Sequence, residues 1–184
     1  MSRVVWLLAG PAMVVSAGAA AAKGDNQAVG LASARVISPV AVRELADLDF
    51  GTISSAGSGA VSLAPGQNRP RYTGGAGDGC AGSRCPAPHL ASFAVSGEAL
   101  RGYTISIPVS LIAGGLAAGA QVAPPALVVD TFSVRSASRP HAGHFGQLDD
   151  AGRDTFELGG RVRVPANLPP ARYRVSVPVI VTYS

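Results

Sequence analysis

The chain is 184 residues long, carries a formal net charge of +4 at pH 7, and is 47% hydrophobic but only 5% aromatic. Its basic residues (among them Arg35, Arg43, Arg101, Arg135 and Arg139) are scattered without a run and with few aromatics between them. A nucleic-acid patch needs clustering, so the charge reads as a solvated surface and no nucleic-acid partner is expected.

The first 22 residues fall into three zones. Arg3 is followed by an apolar run from Val4 to Val15 and a small-residue stretch from Ser16 to Ala22. That layout is a secretory signal peptide, with cleavage expected near Ala22 and with Ala19 and Ala20 also usable. The apolar run is interrupted by Gly10-Pro11 and falls short of the roughly 20 residues of a bilayer span, so no stable membrane insertion is expected. Removing 22 of 184 residues leaves 162. That is enough for one domain, residues 23–184, burying about two-thirds of its unfolded surface. The protein is therefore expected outside the cytoplasm, in the periplasm, at the cell surface or in the medium.

From residue 33 onward the apolar positions repeat with period two. Ala34, Val36, Ser38, Val40 and Val42 form one strand face, with Arg35, Ile37, Pro39 and Ala41 opposite. Leu48, Phe50 and Thr52 form a second row, with Asp47 and Asp49 on the other side and a bend expected at Gly51. The Gly- and Ser-rich stretch 54–59 reads as a turn, Val61 and Leu63 as a short strand ending at Pro65-Gly66, and residues 65–88 as a loop. That loop holds both cysteines, Cys80 and Cys85. In an oxidising compartment they are expected to pair and to pin the loop, contributing only about 2 kcal/mol because the closed ring is short.

Further strands are expected over Leu90–Ser96, Tyr103–Val109, Ala126–Val134, Phe156–Val164 and Arg172–Tyr183, with Pro108 marking an edge or a strand end. Ala113–Ala120 reads as a Gly/Ala-rich connection, and over Leu111–Val122 a short helix is the competing reading, weakened by glycines 114, 115 and 119. Eight strand candidates with no convincing helical period give an all-β, single-domain, immunoglobulin-like antiparallel sandwich, preferred over a barrel.

No constellation of catalytic residues stands out, and the chain is read as a non-enzyme without cofactors or metals. His141 and His144 with Asp149, Asp150 and Asp154 are set among Pro140, Gly143, Gly146 and Gly152, which makes a loop. The run 149–154 lacks the ligand pattern of a calcium loop. No Gly-x-Ser-x-Gly elbow is present, and Glu44, Asp47 and Asp49 are explained as strand flanks.

Three stretches in order resemble a family of exported bacterial proteins, the domain of unknown function 4402 family. They are Asp47-Leu48-Asp49-Phe50-Gly51, then Phe93-Ala94-Val95-Ser96-Gly97 with Tyr103 to Pro108, then Phe156 to Gly160 leading into the closing strand. The Cys80–Cys85 loop is outside that pattern, and Pro170-Ala171 replaces the glycine usual before the final strand. The family is similar to spore-coat and pilus-subunit sandwiches. The resemblance implies a structural or adhesive surface role, with self-association or a periplasmic chaperone as partner.

The chain closes on the alternating row Val175, Val177, Val179, Val181 and Tyr183, which is the candidate assembly edge for strand complementation. A final core strand that simply ends in Tyr-Ser is the plain alternative. The competing function is a monomeric secreted module for a glycan or other ligand, against which the scarcity of aromatics weighs.

Overall fold

A computed structural model describes residues 31–184 apart from 68, 81, 83, 84, 119 and 120. The expected signal peptide, residues 1–22, lies outside the described residues. The chain divides into a unit over Met1–Arg35, of which only 31–35 are described, and a folded unit over Val36–Ser184. The described secondary structure is all strand: β1 (Ala41–Ala46), β2 (Ile53–Leu63), β3 (Arg71–Asp78), β4 (Ala91–Ser96), β5 (Gly102–Ser106), β6 (Ser110–Leu116), β7 (Leu127–Ser136), β8 (Phe145–Gln147), β9 (Arg153–Val164), β10 (Arg172–Arg174) and β11 (Ile180–Tyr183).

The strands form two antiparallel sheets. The large sheet runs β1-β4-β9-β7-β6-β10, with β2 joined to β9 and β3 joined to β2; the small sheet runs β11-β5-β8. β9 organises the large sheet because its twelve residues serve two partners along one edge. Residues 153–158 pair with β4, and residues 160–164 pair with β2. Gly159 stands at the changeover, where a Cβ would collide with the Leu63 carbonyl oxygen. Along its other edge β9 pairs with β7 through a bulge between Asp130 and Ser133. Thr131, at φ 52°, takes the left-handed conformation there. An extra residue at this point re-phases the side chains of β7, so both halves of the strand bury their apolar row.

Two apolar cores follow from this layout. One lies between β4, β7 and β9 of the large sheet and β5 of the small one. Phe93, Val95, Tyr103, Ile105, Leu148, Phe156 and Leu158 fill it, and the Phe93 and Phe156 rings stack at 4.9 Å. The second lies under the curved end formed by β2, β3, β6, β7 and β9, with Val61, Ala76, Ala113, Leu127, Val129, Val162 and Val164. Phe156, Leu158, Val162 and Val164 come from alternate positions of one strand, as the period-two pattern expects.

The all-β sandwich expected from sequence is the fold observed, but the strand boundaries differ in several places. Residues 34–40 are not strand: β1 begins at Ala41, and Val36 is 95% exposed. Pro39 gives no N–H to a ladder, which favours a strand starting after it. Leu48 and Phe50 do pack inward, one against each core. Their backbone forms only an isolated bridge between Asp49 and His89.

The glycine-serine stretch 54–59, read as a turn, lies in the first half of β2, and residues 71–78, read as loop, are β3. Strand propensity undervalues glycine where two backbones must touch. A Cβ on Gly75 would overlap the backbone of Gly57, and one on Gly59 would strike the Thr73 carbonyl, so this pair of strands packs main chain on main chain.

Likewise Ala113–Leu116, read as the start of a Gly/Ala-rich connection, belongs to strand β6. Its Gly115 makes room for the Tyr173 ring, 2.7 Å from where a Cβ would stand. Strand β8 had no counterpart in the sequence reading. The expected closing strand 172–183 is broken into β10 and β11.

Candidate functional site: the closing strand and its edge

The last thirteen residues, 172–184, pass from one sheet to the other. β10 pairs with β6 of the large sheet (Arg172↔Leu116, Arg174↔Gly114), whereas β11 pairs with β5 of the small sheet (Ile180↔Ser106, Tyr183↔Tyr103). Between them residues 175–179 carry no strand assignment, with Pro178 lacking a backbone donor in mid-span. The five residues of the sequence-derived row all turn inward and are partly buried. Val175 packs on the second core, and Val177, Val179, Val181 and Tyr183 pack on the first. The alternate side chains, including Ile180 at 60% exposure, face out. β11 is a terminal strand of its sheet, paired on one side by β5 and, among the described residues, by no strand on the other. β1, the terminal strand of the large sheet, comes into contact with it.

Tyr183 ties this region together. Its hydroxyl accepts the Glu98 backbone N–H at 2.6 Å and donates to the Ser38 carbonyl at 2.6 Å. Ser38 in turn donates its N–H to the Glu98 carboxylate at 3.2 Å. The Arg101 guanidinium lies 5.7 Å from the ring centroid, within cation–π range. Gly97 provides the clearance, since a Cβ there would overlap the Tyr183 hydroxyl. The residue singled out by its place next to the chain end thus joins the segment before β1, the β4–β5 connection and β11.

Several of the remaining sequence candidates make bonds within the chain. Cys80 and Cys85 are joined by a disulfide, and the Cys80 N–H is held by the Asp78 carboxylate at 2.8 Å. Asp49 accepts the Gly51 N–H at 2.7 Å, an Asx turn that lets the chain bend at Gly51, φ 74°. His89 caps the Asp47 carbonyl through Nδ1 at 3.0 Å. The His144 Nδ1 lies 3.0 Å from the Ile105 carbonyl. Asp149 accepts the N–H groups of Ala151 and Arg153 and closes the turn before β9. Asp154 accepts from the Tyr103 hydroxyl at 2.8 Å and from Ser138. Burial first and that carboxylate second push the Tyr103 phenol up, so it stays protonated and donating. Among the described residues no group of three or more His, Cys, Asp or Glu side chains is placed to hold a metal ion.

Sequence reasoning missed Asp130. It is nearly buried on the outward face of β7 and accepts the Arg161 Nε–H at 2.8 Å, the Arg163 Nε–H at 2.7 Å and the Thr131 hydroxyl at 2.9 Å. The Arg161 hydrogen bond, opposed by burial and supported by Thr131 and Arg163, holds its carboxyl down at about 2. The only sequence signal was the R-x-R spacing of residues 161–163, which puts both guanidiniums on one strand face; the acid that joins them lies 31 residues earlier.

These features define an all-β protein of two antiparallel sheets over two cores, closed by a C-terminal strand shared between the sheets. A family model described as a domain of unknown function (DUF4402) matches residues 40–183, and the chain belongs to that family. The chain matched none of the curated proteins and none of the solved structures with which it was compared. No helix among the described residues is long and apolar enough to cross a membrane.

Proposed function

We propose that the protein is an exported structural or adhesive cell-surface protein that associates through the edge of its closing strand. The observation that carries this reading is the position of β11, which ends the small sheet with one backbone edge unpaired among the described residues and Ile180 exposed on it. An edge of this kind is a template for a further strand, with the main chain supplying affinity. Because Val177, Val179 and Val181 already pack on the first core, an added strand pairs beside β11 rather than replacing it. Export rests on the three-zone N-terminus, and a chaperone or a second copy is the natural cover for such an edge.

One observation favours the alternative, a monomeric secreted ligand- or glycan-binding module. The Tyr183 hydroxyl has both its bonding capacities met within the chain, as in a sandwich that is complete alone. Ile180→Lys separates the two. A lysine on an edge strand opposes pairing, and this exposed site lets it do so without touching either core. Sizing of protein recovered from the cell surface and the medium should show wild-type assemblies and a monomeric Ile180→Lys variant that melts like the parent. Wild-type protein that is monomeric throughout would favour the module.

A further inference from the structure

The arginines that look scattered in sequence converge on the outward face of the large sheet. Strand register places Arg71 of β3 beside Ser62 of β2, Ser62 beside Arg161 of β9, and Arg161 beside Asp130 of β7. The next row runs Thr73, Ala60, Arg163, Val128, Ile112 across β3, β2, β9, β7 and β6. β10 adds Arg172 beside Leu116 and Arg174 beside Gly114. Each strand's alternate residues (Tyr72, Val61, Val162, Val129, Ala113, Tyr173) belong to or pack on the second core, so the arginines share the opposite, solvent-facing side.

Five arginines thus face solvent against one acid in these rows, and the five strand spacings from β3 to β10 amount to roughly 24 Å measured along the curved sheet. Asp130 takes only the Nε–H of Arg161 and Arg163. A guanidinium has five N–H donors, so four on each remain for another acceptor.

The second observation is apolar. Ile112 and Leu116 are each 72% exposed and Val128 40%, and they stand between Arg163 on one side and Arg172 and Arg174 on the other. Among the described residues no aromatic side chain occupies the face, so it offers no stacking platform for bases. A dissolved polyanion would satisfy the guanidiniums and leave the apolar stripe wet. A bilayer interface satisfies both, with phosphates for the arginines and the acyl boundary for Ile112, Leu116 and Val128.

We propose that this face docks peripherally on a membrane surface rich in anionic phospholipid, the guanidiniums binding headgroup phosphates and the isoleucine-leucine-valine stripe entering the interface. Docking uses the large sheet and is independent of the β11 edge, so Ile180→Lys leaves it unchanged.

The test is co-sedimentation of the protein, in the form in which cells release it, with vesicles of phosphatidylcholine alone or mixed in equal parts with phosphatidylglycerol. Binding is expected only to the mixed vesicles and should weaken steeply with salt. The double change Arg172→Ser, Arg174→Ser removes two exposed arginines that Asp130 does not hold and should lower the partition roughly 30-fold at low salt, about fivefold per arginine. Ile112→Ser with Leu116→Ser should weaken binding to the same vesicles while leaving the salt dependence in place. Arg71→Ser, across the face, repeats the charge test should the double arginine variant not fold.

Equal binding to neutral vesicles, no binding to either kind, or variants that bind like the parent would overturn the proposal. So would tight binding to a soluble acidic polysaccharide or to DNA by a protein that leaves the mixed vesicles in suspension, because the occupant would then be a dissolved polyanion.

Discussion

Asp130 offers a quantitative check on the large sheet, and Asp130→Asn is the perturbation. The carboxylate bridges Arg161 and Arg163 across the β7–β9 pairing, next to the bulge that sets the phase of β7. A carboxyl held at about 2 instead of 3.8 is linked to roughly 2.5 kcal/mol of folding stability. The partner side chains are 37% and 61% exposed, so solvent screening reduces that figure to about 1–2 kcal/mol. Because the folded value lies below the unfolded one, the contribution is complete above the unfolded pKa of 3.8, shrinks as the pH falls from there to about 2, and vanishes below. Urea unfolding of parent and Asp130→Asn at several pH values reads this directly. The parent should be more stable by about 1–2 kcal/mol at pH 7, with the gap closing near pH 2. A gap of the same size at both ends would show that the aspartate acts through packing and not through its charge, and no gap at pH 7 would refute the bridge.

Other expectations follow from packing. Gly75→Ala should destabilise by about 1–3 kcal/mol in thermal or urea melts, because the new methyl has only the Gly57 backbone to meet; a neutral result would mean that β2 and β3 are further apart than described. Phe156→Ala should cost about 3–5 kcal/mol, and Phe50→Ala distinctly less, since Phe156 is 1% exposed and Phe50 only lines the second core. Equal losses would contradict that ordering. Replacing Cys80 and Cys85 together by serine should leave the fold intact and lower stability by no more than about 2 kcal/mol, measured against the oxidised parent. Tyr183→Phe removes one hydroxyl that serves both Glu98 and Ser38, and a loss of about 1–3 kcal/mol in the same melts is expected; a variant as stable as the parent would show that these bonds give no net support.

Alternation made β4, β5 and β9 legible in sequence, because each buries every second side chain and carries β-branched or aromatic residues where it does so, whereas β7, whose alternation is broken by its bulge, was legible as an apolar run. The hairpin of β2 and β3 was illegible for the opposite reason. Its fit depends on side chains that are absent at Gly57, Gly59 and Gly75, and a propensity scale records their absence as a turn. The inward row of the closing strand was correctly phased, yet the break at 175–179 was not seen, because alternation persists through it while the backbone partner changes from β6 to β5.

Cross-strand neighbours were the least accessible feature. Arg71, Arg161 and Arg174 are separated by 90 and 13 positions in the chain, and only the order β3-β2-β9-β7-β6-β10 makes them one face. Scatter along a sequence therefore carries little weight against clustering in an all-β protein, where contacts are mostly non-local.

The closing strand constrains how its two parts can act. β10 completes the large sheet and packs Tyr173 into the second core; β11 completes the small sheet and packs Tyr183 against the first. Pulling either away exposes apolar side chains of its own core, and the link of five residues makes independent movement of the two segments difficult. An associating strand that adds beside β11 leaves both cores covered. One that displaced β11 would have to replace four paired positions on β5, the inward valine row and the Tyr183 hydroxyl between Ser38 and Glu98. Addition thus costs far less than exchange. Under the proposed function, a partner of this edge would therefore meet a finished sandwich, in which the Tyr183 hydroxyl holds the end of the strand between Ser38 and Glu98.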